Sequence, residues 1–316
     1  MPADYRWPQL HDFWFTIVTT IVLGSLERAF EYFLYDWFYD ICKEKNNLEE
    51  RDRRTRKAIQ NMYKCCYYLS ATVFGYLTLK DSYILPPGMG GSGSLWNQFK
   101  DFPYIEHPPL YRFYFTGTMG YHVGGLLNQF FQKKKHNDYI EMMFHHLVTA
   151  YLYTFSYMTN TLIGAVVSFL HDCTDVSVAW TRIWAETKHS RVTAYSFVVA
   201  QILWSYFRVF WLSQCIYVST MQIEVYTLSP ILQPIFGFLL SCLLVLHIYW
   251  QYLMIGILFN YANKGVAEDT VNNIKQVVST DCESEEEKMK KGGKALISDS
   301  GATPSKASPE RKEKNE

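Results

Sequence analysis

Two adjacent histidines, His145 and His146, lie in a largely apolar stretch that runs from Tyr139 to Thr149. A second stretch carries His171, Asp172 and Asp175, a third Arg208, and a fourth His247 and Trp250. An imidazole takes or gives a proton near neutral pH, and a neighbouring carboxylate fixes its tautomer. Histidine and aspartate brought together from different helices would therefore make a general-base pair. Asp172 and Asp175 are three apart and His171 and Asp175 four apart, so each pair shares a helix face. Adjacent residues on a helix point about 100° apart, which gives His145 and His146 different tasks. For His122 and His247, spacing alone weighs a packing role equally with a functional one. Metal binding is the weaker reading. None of the nine histidines falls in an H-x-x-x-H or H-x-x-H-H pattern. The seven cysteines show no paired spacing of a disulfide framework or a zinc motif.

These groups must be positioned by the stretches that hold them, and overall composition hides what those are. The 316 residues have zero net charge and a mean hydropathy of −0.10, values that would suit a soluble protein. Zero net charge argues against a nucleic-acid binder. The charges are segregated, however. Residues 262–316 and 43–64 hold 33 of the 60 charged side chains, leaving 27 among the other 239 residues. Seven apolar segments emerge, at 13–38, 62–80, 110–131, 139–158, 161–184, 194–218 and 229–261. Most approach or exceed the ~20 residues needed to cross a hydrocarbon core. In the first, Arg28 and Glu31 are spaced to pair on one face. In the last, Pro230 and Pro234 suit a helix start.

The loops alternate in charge. Residues 43–64 carry eight basic and four acidic residues, 132–138 carry Lys133, Lys134 and Lys135, and 185–193 carry Lys188 and Arg191. The loops at 81–109, around Asn160 and at 219–228 lack this excess. The positive-inside rule then puts the basic loops and the C-terminus in the cytosol and the N-terminus in the lumen. Residues 1–12 lack a basic n-region, so the first segment reads as a retained anchor. The charged tail, 265–316, is expected to be disordered. Ser284, followed by three glutamates, matches an acidic-kinase pattern, with a solvated charge run as the simpler reading. At 1.5 Å per residue, the polar groups lie about 10 Å (His145, His146), 13 Å (Asp175), 18 Å (Asp172), 20 Å (His247) and 22 Å (Arg208) from the cytosolic ends of their segments. Ionisable groups are costly there and mark function or an internal pair. One polar cavity open to the cytosol accounts for all of them.

Phe144-His-His-Leu-Val-Thr149, Phe155-Ser-Tyr157, Ile163-Gly164 and Leu170-His-Asp172-x-x-Asp175 together resemble the Lag1 motif of ceramide synthases, members of the TLC-domain family. Arg208, and Leu246-His247 with Trp250, resemble later parts of the same family. The resemblance implies an all-α polytopic membrane protein with seven transmembrane helices, six of them forming a TLC-type bundle around a long internal cavity. It divides the chain into 1–50, a TLC domain at 51–264 and the tail at 265–316. It implies residence in the endoplasmic reticulum and N-acylation of a sphingoid base by a fatty acyl-CoA, with no further cofactor and no metal. His145, His146, Asp172 and Asp175 match the family's catalytic residues by position. His247, Arg208, Trp250 and His171 are expected to bind substrate. Membrane lipids are expected partners, and a homodimer or heterodimer is compatible with such a bundle. The family's chain-length selectivity points to loop 219–228. Arg182 stands where the family commonly has lysine, and Ala179 where it often has an acidic residue.

Joining an amine to a thioester requires a base for the amine's proton and a donor for the oxyanion. One histidine of the 145/146 pair could be that base, oriented by Asp172 or Asp175, with the other stabilising the oxyanion. Equally, one could attack the thioester to give an acyl-imidazole. The rivals are a non-catalytic TLC-fold lipid-sensing or translocon-associated protein, a proton-coupled transporter and a membrane-bound O-acyltransferase. The full His-His and Asp-x-x-Asp set favours the enzyme over the first, and the lack of an internal repeat disfavours the transporter.

Overall fold

The structure, a computed structural model, describes residues 6–131, 139–222 and 231–264. The lysine loop at 132–138, most of loop 219–228 and the tail with Ser284 lie outside the described residues. Regular structure among the described residues is helical, apart from one antiparallel bridge between Cys42 and Thr187. The long elements are α1 (Trp14–Ile41), α2 (Leu48–Leu79), α3 (Tyr111–Phe131), α4 (Tyr139–Met158), α5 (Ile163–Ala185), α6 (Ser190–Trp204), α7 (Leu212–Met221) and α8 (Leu232–Lys264). A π-helical turn, Ser205–Trp211, joins α6 to α7 in one rod.

The helices follow the apolar segments closely except at α2. The charged stretch before residue 62 is helical as well, so α2 begins at Leu48 rather than near 62. Asn47 caps it by accepting a hydrogen bond from the Glu50 amide, which satisfies one orphan donor of the first turn. Charges three and four apart then pair along its surface: Glu50 with Arg53 (2.6 Å) and Arg54 (2.7 Å), and Asp52 with Arg56 (3.1 Å). The hydrogen bond from Arg53 holds the Glu50 carboxyl below the usual carboxylate range. On α1, Arg28 and Glu31 do pair, at 3.4 Å, and Glu31 also meets Arg56 of α2. Pro234 lies in the first turn of α8, where its missing amide costs nothing.

The outer faces are apolar. Ile17, Ile21 and Phe33 on α1, Val199 and Ile202 on α6, and Phe238 and Val245 on α8 are all exposed. Leu10–Ile41 and Pro234–Phe259 are long and apolar enough to cross a membrane. A water-soluble monomer does not carry apolar surface on this scale. These helices and apolar outer faces suggest a membrane protein.

Connections cluster at two opposite ends of the bundle. At one end the backbone of Lys43 donates to Glu186 (3.2 Å), and the buried Glu186 carboxylate takes Arg54 and Lys57 of α2, both at 2.9 Å. At the other end Tyr157 donates to Asp12 (2.8 Å), Asn160 to the Pro103 carbonyl (2.7 Å) and Gln98 to Gln222 (2.9 Å). The basic loops after α1 and α5 therefore share one end, and the non-basic connections share the other.

Helix α1 packs on α3 through small residues and hydroxyls. Thr16 donates to the Thr116 carbonyl (2.9 Å) and Thr20 to the Gly120 carbonyl (2.8 Å). A Cβ on Gly120 would overlap Thr19 Oγ1 and press on the Thr16 carbonyl. Membrane helices associate in this manner because hydrocarbon offers no hydrophobic drive between them. Gly120→Val should force α1 away from α3 and lower stability by about 1–3 kcal/mol, read as a lower thermal midpoint in detergent. Gly24→Val, where no atom lies within 4 Å of the added Cβ, is the control expected to leave that midpoint in place.

Candidate active site

Five elements converge on one polar cluster inside the apolar bundle. Helix α4 brings His145 and His146, α5 brings His171, Asp172 and Asp175, the π turn brings Arg208, and α8 brings His247 and Trp250. His122 comes from α3. The clustering expected from depth along the segments is thus present, but the pairings within it differ from those spacing suggested.

Asp175 is bound to Arg208 at 2.6 Å, not to a histidine. The Arg208 side chain is buried, lies over the Trp204 ring at 4.4 Å and donates to the His171 carbonyl at 3.3 Å. The i→i+5 bonding of the π turn widens the helix around Arg208, a local irregularity often found at functional sites. His171 Nδ1 lies 2.6 Å from the Val167 carbonyl, and its Nε2 lies 2.7 Å from Nε2 of the fully buried His247. The Trp204 indole donates to the His247 carbonyl at 3.2 Å. His145 packs its ring against His247 (5.9 Å between centroids) and Trp250 (5.5 Å). Among the described residues no hydrogen bond or ion pair joins His145 or His146 to a carboxylate, and Nδ1 of each is buried without a partner.

A cavity of about 40 Å³ runs through this cluster. His145, His171, Asp175 and Arg208 line its polar part, and Phe236, Leu240 and Leu243 of α8 line its apolar part with Leu152 and Ile163. His146, Asp172, His247 and Trp250 are not among its lining residues. His146 sits instead against α3, where a Cβ on Gly125 would be 3.3 Å from its ring. Asp172 is buried, with Oδ2 unpartnered.

The cavity wall also holds Tyr153 and Ser168, which the segment analysis left aside. Tyr153 and Ser168 share a hydrogen bond of 2.5 Å, and Tyr114 donates to the same Ser168 at 3.3 Å. The His122 ring, also on the wall, packs tilted against Tyr153, 5.1 Å between centroids. Tyrosine near a segment end reads as an interfacial anchor, and only the packing shows these rings facing inward. Ser168, three residues before His171, shares its helix face, which is the signal that could have found it.

The Arg208–Asp175 pair is the clearest target for a stability measurement. Arg208→Met leaves a carboxylate unpaired inside the bundle and should cost about 3–5 kcal/mol. The double substitution Arg208→Met, Asp175→Leu should recover most of that loss. A thermal midpoint for the double variant as low as for Arg208→Met alone would show that the ion pair is not what each side chain needs.

Comparison with known proteins agrees with this architecture. Residues 57–256 match the family profile described as the TLC domain. The chain is 27% identical over 250 residues to Ceramide synthase 4 of Bos taurus, covering 77% of this chain and 61% of the relative. It is 30% identical over 223 residues to Ceramide synthase 1 LOH3 of Arabidopsis thaliana, covering 65% of this chain and 69% of the relative. Ceramide synthase hyl-2 of Caenorhabditis elegans is 22% identical over 284 residues, 84% of each chain. The chain thus spans about three fifths of the bovine relative's length. With the profile covering more than half of its residues, the chain belongs to the TLC-domain family, which includes the ceramide synthases.

Proposed function

We propose that this protein is an acyl-CoA-dependent N-acyltransferase that joins a fatty acyl group to the amine of sphingosine or sphinganine, forming ceramide or dihydroceramide. One observation carries the reading: a single slot is polar and titratable at one part and apolar along the rest. A fatty acyl thioester has the same division, a reactive carbonyl on a hydrocarbon chain. Family membership adds support, because the relatives are named as ceramide synthases.

In this reading all seven rods cross the endoplasmic reticulum membrane. The end that holds Lys43, Arg54 and Lys57 faces the cytosol, where polyanionic acyl-CoA is found, and the N-terminus is lumenal. The slot is far smaller than the several hundred Å³ of a typical ligand pocket. Substrate entry therefore requires the helices around it to separate into a long cavity.

His145 is the histidine of the pair that meets the reactants, since it lines the slot and His146 does not. It acts as general base toward the amine or as the nucleophile that first accepts the acyl group. Arg208 lines the same slot with a buried Nε lacking a partner, so it is placed to donate to the oxyanion. His171 and Asp175 complete the polar wall. Asp172 is buried outside the slot's lining with one carboxylate oxygen unpartnered, and it acts in this reading through the packing of α5.

Purified protein supplied with a fatty acyl-CoA and sphinganine should form the amide. His145→Ala should lower the rate by at least about 100-fold, and His146→Ala by less. No amide from the wild-type protein, in vitro or in cells lacking ceramide synthase activity, would overturn the proposal. Incubation with acyl-CoA alone separates the two routes. An acyl group recovered on His145 by mass spectrometry is expected for the nucleophilic route, and an unmodified His145 under turnover conditions for the general-base route.

A further inference from the structure

Two cations, Lys64 and Arg182, stand between the slot and the end of the bundle that holds Glu186. Helices α2 and α5 pack antiparallel. Arg54 and Lys57 of α2 meet Glu186, and farther along Cys65 Sγ lies 3.9 Å from the Val176 carbonyl. That register sets Lys64 beside residues 176 and 177 of α5. Lys64 is two helical turns from Lys57, so both share the α2 face turned to α5. Arg182 is three turns from His171, which returns it to the α5 face that lines the slot. Side chains on a helix tilt toward its N-terminus. Because α2 and α5 run in opposite directions, Lys64 leans toward the Glu186 end and Arg182 leans back toward the slot. The two side chains converge, and their charges act on one another and on Asp175.

Neither cation has an anion to itself. Among the described residues Lys64 and Arg182 make no ion pair and no side-chain hydrogen bond. Asp175 is held by Arg208 at 2.6 Å, and Glu186 by Arg54 and Lys57 at 2.9 Å. Glu27 of α1 acts on Lys64 electrostatically without forming an ion pair with it. Lys64 is partly buried and Arg182 is exposed. Two like charges that lean together at the edge of an apolar bundle repel one another unless an anion comes between them.

The spacing fits one anion in particular. His171 marks the level of His145, since both rings pack on His247. At 1.5 Å per residue, Lys64 stands about 8 Å and Arg182 about 16 Å from that level along α5. The pantetheine arm of CoA joins the thioester sulfur to the pyrophosphate through about a dozen bonds, ~15 Å when extended. A thioester carbonyl beside His145 therefore brings the pyrophosphate to the stretch between Lys64 and Arg182.

Resting on the acyltransferase reading above, we propose that Lys64 and Arg182 clamp the pyrophosphate of the acyl-CoA while its thioester lies in the slot. The Arg182 fork takes phosphate oxygens in pairs, and Lys64 supplies a compact point charge from the facing helix. The clamp has no part in the bond changes. It serves the general-base and the nucleophilic route alike, since each begins with the thioester beside His145. It also selects the acyl carrier, because a thioester without a pyrophosphate offers it nothing to hold.

The test uses the full-length protein in nanodiscs of neutral phosphatidylcholine, supplied with sphinganine. The acyl group is offered either as acyl-CoA or as acyl-pantetheine, which lacks the pyrophosphate and the nucleotide. Lys64→Gln and Arg182→Gln should each raise KM for acyl-CoA about 10-fold with little change in kcat. The preference for acyl-CoA over acyl-pantetheine should fall by the same factor. Arg182→Lys, which keeps the charge, should lose less than Arg182→Gln. A KM for acyl-CoA within about twofold of wild type in both glutamine variants would overturn the clamp and leave the acyltransferase reading standing. An equal loss with both thioesters would also overturn it, since a purely structural defect does not distinguish them. A shift in KM seen only in nanodiscs that contain phosphatidylserine would assign the two cations to lipid headgroups and overturn it as well. A wild-type protein that turns over neither thioester removes the clamp together with the functional reading.

Discussion

Hydrocarbon cannot solvate a charge or a dipole, so a charged side chain inside this bundle is stabilised chiefly by a partner of opposite charge within it. The Arg208–Asp175 ion pair is the centre of that constraint. It binds α5 to the rod made by α6, the π turn and α7. Arg208 reaches on to the His171 carbonyl, His171 to His247 on α8, and His247 by its ring to His145 on α4. The groups with the chemistry are therefore the groups that hold four of the rods in register. A change to one of them acts on stability and on reactivity together, so paired and conservative substitutions are the informative ones.

Away from that cluster the helices are held by smaller devices suited to the same medium. Threonine hydroxyls and Gly120 let α1 and α3 approach closely. Tyrosines link α2, α3, α4 and α5: Tyr67 stacks on Tyr121 at 3.7 Å, Tyr68 and Tyr121 share a 3.2 Å hydrogen bond, and Tyr114 and Tyr153 both meet Ser168. A tyrosine offers a large apolar ring and one hydroxyl that needs a partner. The 24 tyrosines of the chain include many that serve as interhelical ties. Near one end of the bundle, Glu186 plays a comparable part with Arg54 and Lys57.

Much of this was legible in the residues because ionisable groups are rare in apolar stretches and stand out against them. His145, His146, His171, Asp172, Asp175, Arg208 and His247 were all identifiable from their surroundings, and the structure gathers them in one place. Their pairings were not legible. The i, i+4 spacing of His171 and Asp175 says that they share a face, yet each turns to a different helix, Asp175 to Arg208 and His171 to His247. The π turn leaves no mark in Ser205–Trp211 that periodicity detects, since it changes the helix by a single residue. The early start of α2 was hidden by its charges, which read as a loop until their pairing along a helix surface is seen.

The sequence by itself determined the class of the molecule. The length and apolarity of its segments, the basic loops between alternate ones and the few titratable groups within them follow from composition and order alone, because the cost of a charge in hydrocarbon does not depend on the fold. Only the tertiary structure decided which of those groups meet. A side chain's partner is set by the rotation and depth of two helices at once, and a difference of one residue in either, such as the π turn supplies, turns it toward another neighbour. That is why His145 rather than His146 lines the slot, and why Asp175 holds an arginine where spacing had offered it a histidine.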